Sequence, residues 1–307
     1  MKNILELLNE KKILESRINE MIHGSIEIRE QNQRKYIYVH FRDNGMSISK
    51  YAGEYTIELN NLILSNNEIV KEYKKRLKEI KKELGLMQYT TNTISENVKI
   101  NIDLARRNMV DSIYKQARLE GVATTYSDTE TIINGGKVSD MSIKDISKVI
   151  NLKHAWEFIL NEGVISCPTN YTILCQINEI IEDGFLYSAG KLRSVPVSIG
   201  GSNYLPPLPY EPQIKNDLEE ILSKNKSYDV AIELLIYVMK KQLFIDGNKR
   251  TAVIFANHYL ISRGMGLIVI PIELIEEFKK HLINYYEGVN KEIKIFLLNK
   301  CLIKIFE

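Results

Sequence analysis

The stretch Lys240-Lys241-Gln242-Leu243-Phe244-Ile245-Asp246-Gly247-Asn248-Lys249-Arg250-Thr251-Ala252 brings a carboxylate, a glycine, an amide and adjacent cations into one short turn. Those groups together suit a phosphate. Gly247 and Asn248 adopt left-handed backbone angles at little cost, and a helix starting directly after them aims its unpaired N–H groups at whatever occupies the turn. Lys249 and Arg250 add formal charge, and Asp246 is a candidate ligand for a hard cation such as Mg2+ bridging phosphate oxygens.

Two helices must hold this turn. Before it, Ala231, Leu234, Leu235, Val238 and Met239 recur at helical spacing; after it, Ala252 to Ser262 is apolar almost all round and closes on Gly264. The spacing therefore predicts a tight loop between two buried helices.

These residues closely resemble the signature of the Fic/Doc family, His-x-Phe-x-Asp/Glu-Gly-Asn-Gly/Lys-Arg. Phe244, Asp246, Gly247, Asn248, Lys249 and Arg250 match it, and Gln242 stands in the place of the His. The resemblance implies Mg2+ and ATP, or another nucleotide, as cofactors. It puts Gly247, Asn248, Lys249 and Arg250 at the phosphates, Asp246 at the metal and Gln242 at the catalytic position. In the family, the His takes the proton from a target hydroxyl as that hydroxyl attacks a nucleotide phosphate. A Gln amide is not basic near neutral pH and can only hydrogen-bond a hydroxyl. Losing a positioned base lowers a rate by roughly 10²- to 10⁴-fold, whereas phosphoryl transfer rests mainly on positioning and charge neutralisation. Binding without fast chemistry is the leading expectation.

Two further segments carry the resemblance. Gln116-Ala117-Arg118-Leu119-Glu120-Gly121 is similar to the inhibitory helix of some Fic proteins, Ser/Thr-x-x-x-Glu-Gly/Asn, whose Glu occupies the γ-phosphate site by pairing with an arginine. Gln116 replaces the Ser/Thr, and the position of the family's second arginine is Val253, so the partners left for Glu120 are Arg250 or Lys249. An acid in the last turn of a helix also needs a cation nearby, because the dipole disfavours it. Gly190-x-x-Arg193, then Val195, Val197 and Ile199, then Gly200-Gly201 and Pro206-Pro207, resembles the family's flap. That flap is a hairpin that docks a protein target by strand addition.

The 307 residues, 44% of them apolar, suffice for one large domain with an accessory module. A net charge of +2 does not point to nucleic acid or an anionic membrane. The N-terminus carries charges where a signal peptide has its apolar core, and no run approaches the roughly 18 apolar residues of a membrane span. Cys167, Cys175 and Cys301 form no metal-binding pattern with His. A cytoplasmic, reduced protein without a membrane partner is the simplest reading, and homo-oligomerisation stays open.

Residues 1–92 read as an accessory module. A helix from about Ile4 to Ile18 ends near His23-Gly24; Ile26 to Phe41 and Ser47 to Tyr55 form a hairpin around Asp43-Asn44-Gly45; a second helix runs from about Asn61 to Leu84. Its lysines, balanced by Glu68, Glu72, Glu79 and Glu83, read as a solvated face. The alternative is a nucleic-acid-binding or partner-binding arm with Arg29, Arg34, Lys35, Arg42 and Lys50 at the hairpin. Tyr36, Tyr38, Tyr51 and Tyr55 are expected to pack on the strand face.

A polar linker at Gln88 to Glu96 leads to a helix over Asn97 to Glu120, a loop over Asp128 to Asp140, a helix opened by Ser142 and Asp145, and one over Thr169 to Asp183. Trp156 reads as core, His154 as surface and His258 as an interior histidine. Helices follow near Glu273 to Tyr286, bearing an exposed His281, and Glu292 to Lys304. The expected fold is mostly α. It comprises a helix–hairpin–helix module at 1–92, an inhibitory-type helix and loop at 93–140, and a Fic-type bundle with a short β-hairpin flap at 141–307.

Three functions fit this reading. One is a nucleotide-binding Fic-fold pseudoenzyme that acts on a protein partner. The second is an unusual transferase placing AMP, or phosphate as in the Doc branch, on Ser, Thr or Tyr hydroxyls. The third is a nucleic-acid-binding regulator acting through the N-terminal module.

Overall fold

The structure, a computed structural model, describes residues 2–43, 46–89, 94–289 and 292–304. The chain divides into two compact units, Met1–Tyr89 and Thr90–Glu307.

In the first unit, α1 (Ile4–Glu20) is opened by a capping box between Asn3 and Glu6. Strands β1 (Ser25–Gln31), β2 (Arg34–Asp43) and β3 (Met46–Glu54) form an antiparallel meander, and α2 (Ile57–Leu86) follows, capped by Thr56. The expected single hairpin is thus a three-stranded sheet. The run Ile26 to Phe41 breaks because Asn32 and Gln33 both take left-handed angles, φ +51° and +62°, giving a two-residue turn whose twist suits a hairpin. Glutamine rarely enters that region, so the turn carried no sequence signal. The second turn's Asn44 and Gly45 lie outside the described residues. One sheet face packs Ile37 and Val39 on Ile63 of α2. On the other, the rings of Tyr36 and Tyr38 lie 6.2 and 5.5 Å from that of Tyr51, and the Arg29 guanidinium lies 4.4 Å from the Tyr38 ring.

The second unit is helical. Its first elements are α3 (Glu96–Arg107), α4 (Met109–Leu119), α5 (Tyr126–Ile133), α6 (Ile143–Ile159), α7 (Glu162–Ile165) and α8 (Tyr171–Ile181). Next come α9 (Glu211–Ser223), α10 (Tyr228–Lys241), α11 (Asn248–Ile261), β4 (Leu267–Ile268), α12 (Ile275–Tyr286), α13 (Glu292–Lys300) and β5 (Leu302–Ile303). α11 is buried along nearly its whole length, as an all-round apolar helix must be.

Several expectations need correction. The helix predicted over Asn97 to Glu120 is two, α3 and α4, split where the Asn108 side chain donates to the Leu104 carbonyl and competes with the helix ladder. Part of the loop predicted over Asp128 to Asp140 belongs to α5, which Thr125 and Asp128 open with a reciprocal cap. α9 carried no expectation. The last predicted helix stops at Lys300, where Leu302–Ile303 pairs with β4. Residues 90–93 of the expected linker lie outside the described residues.

Candidate functional site

The turn predicted between two buried helices is the one between α10 and α11. α10 ends on Gln242, which takes left-handed angles (φ 46°, ψ 62°) and bends the chain back toward the core. Leu243 and Phe244 then plug into the interior. Asn248 locks the bend from inside: its Oδ1 accepts the Phe244 N–H at 3.0 Å, and its Nδ2 donates to the Phe244 carbonyl at 2.8 Å and to Gln242 Oε1 at 3.2 Å. Gln242 Nε2 donates to the Met239 carbonyl at 2.6 Å. Both polar ends of the Gln242 side chain are therefore held inside the loop.

Gly247 stands at the N-cap of α11 with φ 75°. A Cβ there would lie 2.5 Å from Glu182 Oε1, so both the backbone angle and the close approach require glycine. Asp246 sits before it, with its side chain 65% exposed and one oxygen accepting the Gly247 N–H at 2.7 Å. The first-turn N–H groups of α11 have no partners within the helix and open beside this carboxylate.

The two cations of that first turn face opposite ways. Lys249 reaches Glu120 at 3.3 Å and lines a cavity. Arg250 is 3% exposed and does not line it; its Nη2 lies 2.8 Å from Glu182 of α8 and 3.6 Å from Asp246. Nε and Nη1 of Arg250 are buried with no hydrogen-bond partner among the described residues. Burial raises the Glu182 carboxyl to about 7, against the pull of Arg250 and with a smaller push from Asp246 and Glu120. Asn178, one helical turn earlier on α8, donates to the Asp246 carbonyl and to Thr251 Oγ1, both at 3.1 Å.

Glu120 is the C-cap of α4. The Gly121 N–H donates to the Arg118 carbonyl and the Val122 N–H to the Ala117 carbonyl, both at 3.0 Å. With Gly121 at φ 78°, this is a glycine-closed helix end. α4 is tied down by Gln116, which accepts from Trp156 Nε1 at 2.9 Å and donates to the Arg250 carbonyl at 3.4 Å. Gln116, which departs from the family pattern, is thus a buried bridge between the helix carrying Glu120 and α11.

The cavity holds about 300 Å³. Its walls are the loop (Gln242, Ile245, Asp246, Asn248, Lys249), residues 198–200 of the expected flap, and Lys279, Leu282, Ile283 and Tyr286 of α12, with Glu120 among them. The flap forms no β-hairpin among the described residues. Val195, Val197 and Ile199 belong to no strand, Val195 is half exposed, and only Ile199 of the three lines the cavity. Pro196, Pro206, Pro207 and Pro209 have no N–H to place in a ladder. Arg193 bridges the arms instead, donating to the carbonyls of Val195 (2.8 Å), Pro206 (3.1 Å), Pro207 (2.7 Å) and Gln242 (2.6 Å).

His258 is interior, as expected: Nδ1 lies 2.9 Å from Thr169 Oγ1, Nε2 lies 3.2 Å from the Val164 carbonyl, and burial lowers it to about 4. Trp156 is buried and His154 exposed. His281 is part-buried rather than exposed, lying between Glu277 (3.7 Å) and Glu292 (3.6 Å). Sequence reasoning missed Glu182, Asn178 and Lys279. For Glu182 a signal existed: it is an acid at a helix C-terminus just ahead of Gly184, the same anomaly that singled out Glu120.

The Fic/DOC family matches residues 168–260, which span α8 through α11 and the turn between the last two. That segment is a Fic/DOC domain. Solved Fic structures share its fold. Fic-1 (residues 134–508) from C. elegans superposes with a TM-score of 0.54 at 17% identity, over 78% of this chain and 72% of that one. A Fic domain-containing signaling protein from Bacteroides thetaiotaomicron gives 0.55 at 19%, over 68% and 87%. A Fic family protein from Desulfovibrio desulfuricans G20 gives 0.52 at 17%, over 69% and 72%. No curated protein sequence matches. Among the described residues, no helix of this chain is long and apolar enough to cross a membrane.

Proposed function

We propose that this Fic-family chain binds a nucleotide through its phosphates at the start of α11, that Glu120 restrains this binding, and that the bound state signals to a protein partner rather than driving fast transfer. The observation that carries the reading is the state of Gln242. It occupies the position of the base, has no basic nitrogen, and has its amide held between Met239 and Asn248. Neither His258 nor Tyr286 replaces it. His258 is fully buried and stays neutral. The Tyr286 hydroxyl donates to the Met239 carbonyl at 3.1 Å, and burial raises its pKa, which keeps the proton on it.

The residues fit the nucleotide and metal that the family implies. The α11 start and Lys249 offer donors to a phosphate, and the cavity's size is at the low end for a ligand site while Glu120 occupies part of it. Asp246 keeps one carboxylate oxygen beyond its bond to Gly247, enough for one ligand to a Mg2+ held otherwise by phosphates and water. When bound, Mg2+ neutralises phosphate charge. Glu120 competes with a phosphate for Lys249, Gln242 hydrogen-bonds a hydroxyl without deprotonating it, and the exposed residues 194–200 offer backbone groups to a partner.

Calorimetry of the full chain with several nucleotides tests the binding. Micromolar or tighter affinity that rises in Glu120→Gly supports it, and no binding to either protein overturns it. Incubation with Mg2+ and ATP labelled at the α or γ position tests the chemistry. Label on protein from the α position would make the chain an AMP-transferase, and label from γ a phosphotransferase. Restoration of transfer only in Gln242→His would identify the missing base as the one defect.

A further inference from the structure

Four charged side chains line the cavity: Glu120, Asp246, Lys249 and Lys279. They are not equally available to an incoming anion. Lys249 is neutralised by Glu120, whose side chain is 13% exposed, so the pair is partly screened from water and internal to the unit. Arg250, behind the wall, is already held by Glu182 and Asp246. Lys279 lies on α12, which supplies another part of the cavity wall. Its ion partner is Glu276, 3.0 Å away on the same helix and 88% exposed. Pairs this exposed contribute little and separate readily. Lys279 is therefore the cavity cation that an anion can engage without breaking a buried contact.

The helix start and Lys249 serve one phosphate group, because they converge on one turn of backbone. A ligand with two or three phosphates has to place its remaining charge elsewhere, and the other lining residues carry no cation: Ile199, Ile245, Leu282 and Ile283 are apolar, and Ser198, Gln242, Asn248 and Tyr286 are polar but uncharged. We propose that Lys279 is a specificity-determining residue that receives an additional phosphate, so that the site selects nucleoside di- and triphosphates over monophosphates. The inference rests on the nucleotide-binding reading above and assigns to α12, outside the matched family segment, a part in ligand choice.

The test is calorimetry of the full chain with adenosine, AMP and ADP, comparing the natural protein with Lys279→Ala, Lys279→Arg and Lys280→Ala. Lys280 is an exposed neighbour outside the cavity lining and controls for the general field of the helix. The expected result is a preference for ADP over AMP of about tenfold in the natural protein, the scale of one charge-assisted contact. That preference should fall to within about threefold in Lys279→Ala, be restored in Lys279→Arg and be unchanged in Lys280→Ala. Equal losses for AMP and ADP in Lys279→Ala, or an unaltered preference, would overturn the role of Lys279 while leaving nucleotide binding intact. If no nucleotide binds even in Glu120→Gly, the binding reading itself fails and takes this inference with it.

Discussion

Two glutamates hold matching posts in this chain. Glu120 caps α4 and Glu182 caps α8, each at the helix end where the dipole repels a carboxylate, and each meets one of two successive cations in the first turn of α11. Their burial separates them. Lys249 and Glu120 are 36% and 13% exposed at 3.3 Å, whereas Arg250 and Glu182 are 3% and 2% exposed at 2.8 Å. The first pair sits in a cavity wall where an anion can compete for the lysine. The second is part of the core beneath the glycine bend. One register step along a helix thus converts a cation from a cavity-facing group into a structural one.

The contrast is broken most severely from the buried side. Glu182→Ala leaves a buried guanidinium without its closest counter-charge, and a loss of about 3–5 kcal/mol in unfolding free energy is expected by urea titration. Glu120→Ala should change the same measurement by less than about 1 kcal/mol, since its pair is partly solvated. Equal losses would mean that the two pairs are energetically alike. Gly247→Ala, which forces a Cβ against Glu182 at a left-handed angle, is expected to cost about 2 kcal/mol by the same method. Gln116→Ala leaves the Trp156 indole N–H unpaired in the core and should cost about 1–3 kcal/mol.

A pH titration sharpens the comparison further. The Glu182 carboxyl is raised from 4.5 to about 7, so the folded state binds its proton more tightly than the unfolded chain does. Its contribution to stability is whole below about 4.5 and is lost as pH rises through about 7. The natural protein should therefore lose stability relative to Glu182→Gln between pH 5 and 8. A flat difference would show that Arg250 keeps the carboxylate ionised throughout. His258, held neutral in both proteins, cancels in that difference. The smallest effect on stability is expected for Glu120→Gly, whose readout is instead a several-fold gain in nucleotide affinity.

Much of the site was legible because its chemistry is local. Phe244, Asp246, Gly247, Asn248, Lys249 and Arg250 are contiguous or nearly so, and the helices flanking them announce themselves by apolar spacing. The Glu120-Gly121 helix end was legible for the same reason: an acid before a glycine is a local anomaly. The flap shows where locality misleads. Val195, Val197 and Ile199 alternate as a strand would, yet the surrounding prolines withhold N–H groups and the Arg193 guanidinium bridges the arms, so no ladder forms. Likewise, no pattern in Gln31 to Arg34 foretold a turn with two left-handed side chains.

The amino-acid order by itself determined the bend, its left-handed glycine at 247, the absence of a base at 242 and the pairing of cations at 249 and 250, since each depends only on neighbours along the chain. Which cation faces the cavity, that Gln116 ties α4 to α11, and that α12 brings Lys279 to the cavity wall were decided by tertiary packing. Those facts join residues tens to more than a hundred positions apart. Burial of a charge against a distant partner is a property of the assembled core that no local stretch encodes.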